Sequence, residues 1–202
     1  MSTKPSQSSL QRGSYLDKVL ETLKTSGFYW GALNANQSKA LLIKKKPGSF
    51  LIRASSDPKH LFTLSLRTEL GVTNIRIVMC DGKFSLDQNN GTSAHAGGNQ
   101  QGSPKFDCVV KLVFYYILLS KRRNNRQKSS YAGTRDKVAH LSLTSPLYKE
   151  VSSLKHLCRR TLNRQLIGES VHRLPVPSKL KVYLRSYQYP VWVIHGKYCQ
   201  FI

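Results

Sequence analysis

Three short segments of the chain alternate between apolar and polar or basic residues, and only two short connections separate them. The segments cover residues 50–53, 61–67 and 74–79. The connections carry turn residues, with Ser-Ser-Asp-Pro at 55–58 and Leu-Gly at 70–71. Because side chains change sides at every residue of a strand, these segments predict β-strands with one apolar face. Connections this short predict an antiparallel meander.

The same alternation assigns polar side chains to the other face of the predicted sheet. Arg53, Thr63 and Arg76 fall opposite the apolar side chains. A planar guanidinium can meet two phosphate oxygens at once, and the adjoining turn adds the hydroxyl and N–H groups of Ser55 and Ser56. The polar face is therefore a candidate anion pocket. From this pattern alone, Arg53 is equally well an ordinary surface arginine at a strand end.

Helical periodicity flanks the sheet on both sides. Residues 14–26 carry an apolar stripe at i, i+3, i+4 and i+7, which predicts a helix after a polar tail over 1–13. A second core helix is predicted from Phe106-Asp107 onward, with a stripe from Val109 to Ile117. The segments 88–103, rich in Asn, Gly, Gln and Ser, and 121–137, basic and polar, lack such a period and predict mobile loops.

Two further apolar stripes follow in the last quarter of the chain. The first contains Leu154, Leu157, Cys158 and Leu162; the second follows Leu174-Pro175-Val176-Pro177 and contains Leu180, Tyr183, Leu184 and Tyr187. The segment is short for burying both stripes on itself, so an outside partner is the natural way to cover them. The alternative is that the leucines form an intramolecular core, with Cys158 as a small buried hydrophobe.

Charge and composition limit the classes of function. The chain has 32 Lys and Arg against 10 Asp and Glu, a formal charge of +22, which predicts anionic partners or surroundings. Nucleic acid, acidic lipid and phosphorylated protein all fit this charge. Binding of nucleic acid through the basic segment 121–137 is the competing hypothesis, although charge runs are more often solvated loops.

No catalytic or metal-binding pattern stands out. The six histidines are scattered, and the sequence has neither a phosphate-binding glycine loop nor paired Cys and His at zinc spacing. We therefore expect no enzyme activity, no metal and no cofactor. The four cysteines are widely spaced, the N-terminus lacks a signal-peptide pattern, and no apolar stretch reaches the roughly 20 residues that span a bilayer. A reducing, cytoplasmic location and no membrane insertion are expected.

Four motifs occur in an order that closely resembles a Src-homology-2 (SH2) domain. They are Phe-Tyr-Trp-Gly at 28–31, Phe-Leu-Ile-Arg-Ala-Ser-Ser at 50–56, Phe-Thr-Leu-Ser at 62–65 and Phe-Asp at 106–107. The resemblance implies an α+β fold in which a central antiparallel sheet is flanked by two helices. It also implies that Arg53, Ser55, Ser56, Thr63 and Arg76 bind phosphotyrosine.

The C-terminal segment resembles a SOCS box. Ser-Leu-Lys-His-Leu-Cys-Arg at 153–159 is similar to an elongin-binding box, which implies that Leu154, Leu157 and Cys158 bind elongin; the motif at 174–177 is similar to a cullin-5 box. An SH2 domain followed directly by a SOCS box is identified as a member of the suppressor of cytokine signalling family. The expected organisation is an N-terminal extension helix at 14–26, an SH2 domain at 27–148, a small α-helical SOCS box at 149–190 and a tail of unknown role at 191–202.

This resemblance implies a non-catalytic adaptor. Such a protein binds tyrosine-phosphorylated cytokine or growth-hormone-type receptors and their kinases, recruits elongin B/C and cullin-5, and restrains JAK-STAT signalling by directing targets to ubiquitin-dependent degradation. An SH2-only blocker of receptor phosphotyrosines is the alternative. Within the family, segments such as 73–77 and 183–187 are most similar to the second member and to the cytokine-inducible SH2-containing protein. Ala54 departs from the family, which usually has Asp after the strand arginine.

Overall fold

The computed structural model describes residues 7–87, 104–126, 141–166 and 168–187 of the 202. The chain divides into two compact units after Glu150. The first unit contains α1 (Gln7–Thr25), α2 (Ala35–Leu42), β1 (Ser49–Ala54), β2 (Phe62–Thr68), β3 (Gly71–Cys80), β4 (Lys83–Leu86), α3 (Val109–Arg126) and β5 (Ser145–Pro146). The second contains α4 (Leu154–Gln165), a 3-10 helix (Gly168–Arg173) and α5 (Ser178–Arg185).

The five described strands form one sheet in the order β4-β3-β2-β1-β5. The antiparallel meander β1-β2-β3 is confirmed, and its register pairs Arg53 with Thr63 and Thr63 with Arg76. The sheet is nevertheless mixed, because β5 runs parallel to β1. Only two residues of β5 pair, which is too short a segment to show an alternation of its own.

The two faces of the sheet have the predicted chemistry. Phe50, Ile52, Leu64 and Ile77 are almost completely buried on the apolar face. The other face is covered by α2, where the Ser38 hydroxyl lies 3.4 Å from that of Ser65 on β2. A capping box begins α2: the Asn34 side chain and the Gln37 side chain each accept from the other residue's backbone N–H. The stripes of the flanking helices are buried at Val19, Leu23, Val109, Leu112, Val113, Tyr116 and Ile117.

Helix α1 is fastened to the rest of this unit by its Tyr15 hydroxyl. The hydroxyl oxygen lies 2.5 Å from the carbonyl oxygen of Gly82 and 2.6 Å from that of Asp107. Burial raises the pKa of Tyr15, and the charge of Asp107 acts in the same direction. The phenol therefore stays protonated at neutral pH and remains able to donate.

Two helices are longer than the hydrophobic pattern predicts. The prediction of a polar tail over 1–13 is wrong from Gln7 onward, because α1 begins there. The prediction of a loop over 121–137 is wrong for residues 121–126, because α3 continues to Arg126. Gln, Lys and Arg propagate a helix well without any apolar stripe, and cations are favoured at a helix C-terminus. The predicted loop at 88–103, residues 127–137 and the tail 191–202 lie outside the described residues. Within the described ranges, no helix is long and apolar enough to cross a membrane.

Gly48 allows the entry to β1 and the strand β5 to approach closely. Its φ of +87° lies in the left-handed region, and a Cβ atom at this position would overlap with the Thr144 side chain. Its N–H donates to the carbonyl of Arg67 at 2.7 Å, and its carbonyl accepts from the N–H of Thr144 at 2.9 Å. A side chain here would therefore push away the segment that leads into β5.

We expect Gly48→Ala to lower the free energy of unfolding of the N-terminal unit by about 2–4 kcal/mol, from left-handed backbone strain plus overpacking. Gly82→Ala is the matched control, because φ is +71° there but nothing lies within 4 Å of the added Cβ. Its loss of stability should come from left-handed backbone strain alone, about 1–2 kcal/mol. Urea denaturation measures both, and equal losses in the two variants would contradict the steric role of Gly48.

Candidate functional site

Arg53 lies near the end of β1 and is buried, with 4% of its surface exposed. Its guanidinium donates only to neutral oxygens. These are Ser65 Oγ at 3.1 Å, the Ala54 carbonyl at 3.2 Å, and the Leu33 carbonyl, Ser56 Oγ and Asn74 Oδ1 at 3.4 Å. Among the described residues, no Asp or Glu forms an ion pair with it.

The charge of Arg53 is therefore buried with no countercharge from any residue that the structure describes. Desolvation lowers the pKa of Arg53 from its usual value, although an arginine remains protonated at neutral pH. Neutral hydrogen bonds satisfy the N–H groups but do not neutralise the cation. An anion that reaches this guanidinium gains a charge-assisted hydrogen bond in a low-dielectric setting. The arrangement is thus chemically suited to an anion.

Two neutral side chains that were not predicted as site residues hold the guanidinium. Ser65 on β2 pairs in register with Asn74 on β3, and its hydroxyl donates to Asn74 Oδ1 at 2.6 Å. The Asn74 oxygen also accepts from Arg53 Nη2. Strand alternation contained the signal, because Ser65 and Asn74 lie two residues from Thr63 and Arg76 on the same face. Their contact with Arg53 required the side-chain geometry.

The remaining predicted pocket residues gather at the same end of the sheet. Thr63 is buried beside Arg53 on β2, and Ser56 is exposed in the turn after β1. The Ser55 hydroxyl accepts the backbone N–H of Asp57 at 3.1 Å. Ala54 takes part through its backbone: its N–H donates to the Gly31 carbonyl at 2.8 Å, and its carbonyl accepts from Arg53.

Arg76 has a different environment from that of Arg53. Its side chain is 45% exposed, and its Nε lies 3.2 Å from Asp57 Oδ2. The same carboxylate oxygen lies 3.2 Å from Nδ1 of His60. Asp57 was predicted only as a turn residue, so this ion pair is a feature that strand alternation did not reveal.

The C-terminal unit carries apolar side chains on its surface. Leu154 is 77% exposed and Leu157 is 40% exposed, and Cys158 is an exposed free cysteine. Further exposed apolar residues on this unit are Val151, Leu162, Leu180 and Val182. The alternative that these leucines form an intramolecular core, with Cys158 buried, is therefore wrong. The face is available to a partner.

Polar residues on the opposite face of α4 hold the unit together. His156, Arg159 and Asn163 are buried and follow a three- and four-residue spacing. Asn163 Nδ2 donates to the carbonyls of Leu184 and Tyr187, both at 2.9 Å. Carbonyls at a helix C-terminus lack intrahelical donors, so these contacts satisfy the end of α5.

Arg159 is the centre of this polar contact between α4 and α5. Its guanidinium donates to the Tyr183 carbonyl at 3.2 Å and to Ser186 Oγ at 3.0 Å. It also lies 4.2 Å from the Tyr183 ring centre and 5.0 Å from that of Tyr187, within cation–π range. This arginine is enclosed by its own unit.

The Leu174-Pro175-Val176-Pro177 motif forms the turn between the 3-10 helix and α5. The N–H of Val176 donates to the Leu174 carbonyl at 2.8 Å, and Pro177 is the N-cap residue of α5. Pro175 and Pro177 are exposed, while Leu174 and Val176 are half-buried. The motif thus presents its two prolines on the surface next to α5, on which Leu180 and Val182 are exposed.

No metal centre is formed within the part of the chain that the structure describes. No three His, Cys, Asp or Glu side chains there come together as a ligand set. His156 is buried against Tyr187, whose ring centre is 4.8 Å away, whereas Cys158 is exposed. His156 and Cys158 are two residues apart on a helix, so their side chains point in opposite directions.

Comparison with known protein families shows which domains the chain contains. The SH2 domain family matches residues 28–116, and the SOCS box family matches residues 150–185. The chain therefore contains an SH2 domain followed by a SOCS box.

Individual proteins that are similar to the chain identify the family to which it belongs. The chain is 38% identical over 176 residues to human Suppressor of cytokine signaling 2, with 87% of this chain and 82% of that protein covered. It is 36% identical to chicken Suppressor of cytokine signaling 3, covering 86% and 83%, and 35% identical to chicken Cytokine-inducible SH2-containing protein, covering 85% and 70%. The chain belongs to the suppressor of cytokine signaling family.

His156 makes the C-terminal unit sensitive to acid. Burial, together with the charges of Arg159 and Arg160, lowers the pKa of His156 to about 4 from 6.5. The unfolded chain therefore binds a proton that the folded unit excludes, and stability present above pH 6.5 is lost as the pH falls toward 4. We expect a loss of about 2–3 kcal/mol across this window.

His156→Phe keeps a ring against Tyr187 but cannot be protonated, so its stability should depend less on pH between 6.5 and 4. Urea denaturation of α4, followed through its NMR amide signals at pH 7 and pH 4.5, compares the two proteins. Parallel losses of stability in the wild type and the variant would rule out His156 as the cause.

Proposed function

We propose that the chain is a phosphotyrosine-binding adaptor that selects substrates for an elongin B/C–cullin-5 ubiquitin ligase and thereby restrains cytokine-receptor signalling. The observation that carries the proposal is the buried Arg53 cation, whose hydrogen bonds within the described part of the chain all go to neutral oxygens. The SH2 match supports phosphotyrosine binding, and the SOCS box match supports recruitment of the ligase. The family names of the relatives support cytokine signalling as its setting.

Phosphotyrosine suits this site because its phosphate carries a charge of about −1.5 to −2 at neutral pH. Arg53 would meet two phosphate oxygens with its planar guanidinium. Ser55, Ser56 and Thr63 would donate hydroxyl or backbone N–H groups, and Arg76 would add a second cation from β3. The tyrosine-phosphorylated tails of cytokine or growth-hormone-type receptors, and their kinases, are the partners that the family suggests.

The exposed face of α4 supplies the second half of the proposal. Leu154, Leu157 and Cys158 would insert into elongin C, and the Leu174–Pro177 turn with α5 would contact cullin-5. Holding a phosphorylated target beside a ubiquitin-loaded ligase raises its effective concentration, so the adaptor itself needs no bond-making chemistry. Its role is that of a non-catalytic substrate receptor.

Arg53→Lys should weaken phosphotyrosine binding by about 2–5 kcal/mol, because a single ammonium cannot replace the bidentate guanidinium in a buried site. Isothermal titration of the full chain with phosphotyrosine peptides from a growth-hormone-type receptor measures the loss. The unphosphorylated peptides give the reference.

Arg67→Lys is the matched control for this change. Arg67 lies on β2 and donates to the Gly71 carbonyl at 3.1 Å, at the opposite end of the strand from Thr63. Its replacement should leave the affinity unchanged. Near-equal affinities of the wild type and Arg53→Lys would reject the pocket assignment.

Leu154→Ser combined with Leu157→Ser should abolish elongin B/C binding, with a loss of at least about 2 kcal/mol, because apolar anchors dominate such interfaces. Both side chains are exposed, so the helical content should stay unchanged. Leu70→Ser, at a fully exposed leucine of the β2–β3 turn, is the control. Titration with purified elongin B/C compares the three proteins; undiminished binding by the double variant would refute the docking face.

A further inference from the structure

The carboxylate of Asp57 is an anionic group of the protein itself that lies beside the proposed phosphate pocket. It lies in the turn after β1, where both carboxylate oxygens are engaged. Oδ1 accepts the backbone N–H of Lys59 at 3.0 Å, and Oδ2 lies 3.2 Å from Arg76 Nε. His60 Nδ1 approaches Oδ2 at 3.2 Å as well.

The contacts of Asp57 are of the type that bind phosphate. A backbone N–H of the turn and a guanidinium from the neighbouring strand are both typical donors to a phosphate group. The Lys59 N–H lowers the pKa of Asp57 most, and His60 and Arg76 lower it further. The side chain is therefore ionised at neutral pH and holds Arg76 as a carboxylate.

We propose that Asp57 is an internal competitor, which occupies Arg76 while the pocket is empty and has to release it when phosphotyrosine binds. This inference rests on the proposed function. It divides the roles of the two arginines: Arg53 has no carboxylate partner among the described residues and is ready for an anion, whereas Arg76 becomes available only after an exchange.

The opposite role for Asp57 predicts the opposite sign. If the carboxylate served to hold Arg76 in the binding position, its removal would weaken phosphotyrosine binding by freeing the Arg76 side chain. If the carboxylate competes, its removal strengthens binding, because the ion pair no longer has to break and a like charge beside the phosphate is gone. The ion pair is partly exposed, so the expected gain is moderate, about three- to tenfold in affinity.

Asp57→Asn is the informative change, because the amide oxygen can still accept the Lys59 N–H while the negative charge is lost. Asp81→Asn is the matched control. It changes the net charge by the same unit at an exposed position with φ of +51°, a conformation that Asn tolerates. Asp81 is five residues beyond Arg76, about 16 Å along the strand, which exceeds the Debye length at physiological salt.

The test is isothermal titration of the full-length proteins with O-phospho-L-tyrosine, which probes the pocket without flanking residues. Asp57→Asn should bind about three- to tenfold more tightly than the wild type, and Asp81→Asn should match the wild type. Unchanged or weaker binding by Asp57→Asn, or an equal gain in Asp81→Asn, would overturn the competition. Thermal melts of each variant verify that the fold is kept.

A second pair of proteins tests whether Asp57 acts through Arg76. In an Arg76→Gln background, adding Asp57→Asn should give a clearly smaller gain, because no Arg76 remains to be released. An equal gain in both backgrounds would mean simple repulsion and would overturn the exchange.

The failure of the proposed function is distinguishable from the failure of this inference. Loss of binding in Arg53→Lys together with no gain in Asp57→Asn would reject the inference alone. No binding of phosphotyrosine by the wild type would reject both.

Discussion

The N-terminal unit depends on the burial of the Arg53 guanidinium, for which the described residues supply no countercharge. A buried cation is costly unless its N–H groups are satisfied, and the five oxygens that satisfy this one come from the loop before α2, the end of β1, the following turn, β2 and β3. A slip of one residue between strands would turn Ser65 and Asn74 to the apolar side. The same register that forms the core therefore also forms the proposed anion site.

The C-terminal unit also contains a buried arginine, but this arginine is enclosed by the unit's own side chains. Arg159 is as deeply buried as Arg53, and desolvation lowers its pKa too. However, the Tyr183 and Tyr187 rings and the carbonyl of Tyr183 enclose it, so its charge serves the contact between α4 and α5. Because this contact is largely polar, Leu154 and Leu157 need not be buried internally. A module too small for a large core thus keeps an apolar face for a partner.

The main features of the fold could be predicted because they follow from local periodicity. Alternation of period two identified β1, β2 and β3 and assigned Arg53, Thr63 and Arg76 to one face, and the register confirms this placement. The segments 7–13 and 121–126 were missed because neither carries an apolar stripe; in 121–126 the Lys and Arg residues still favour a helix through propensity and charge. Strand β5 was missed because its pairing with β1 depends on a distant part of the chain.

The sequence by itself determined the strand faces, the place of Arg53 on the polar face and the order of the SH2 and SOCS box motifs, since these are properties of neighbouring residues. Only the tertiary structure decided that Ser65 and Asn74 hold Arg53, that Asp57 pairs with Arg76, and that α4 turns Arg159 inward and Leu154 outward. Each of these depends on side chains from separate segments meeting within a few ångströms. Periodicity along one segment carries no information about such distances.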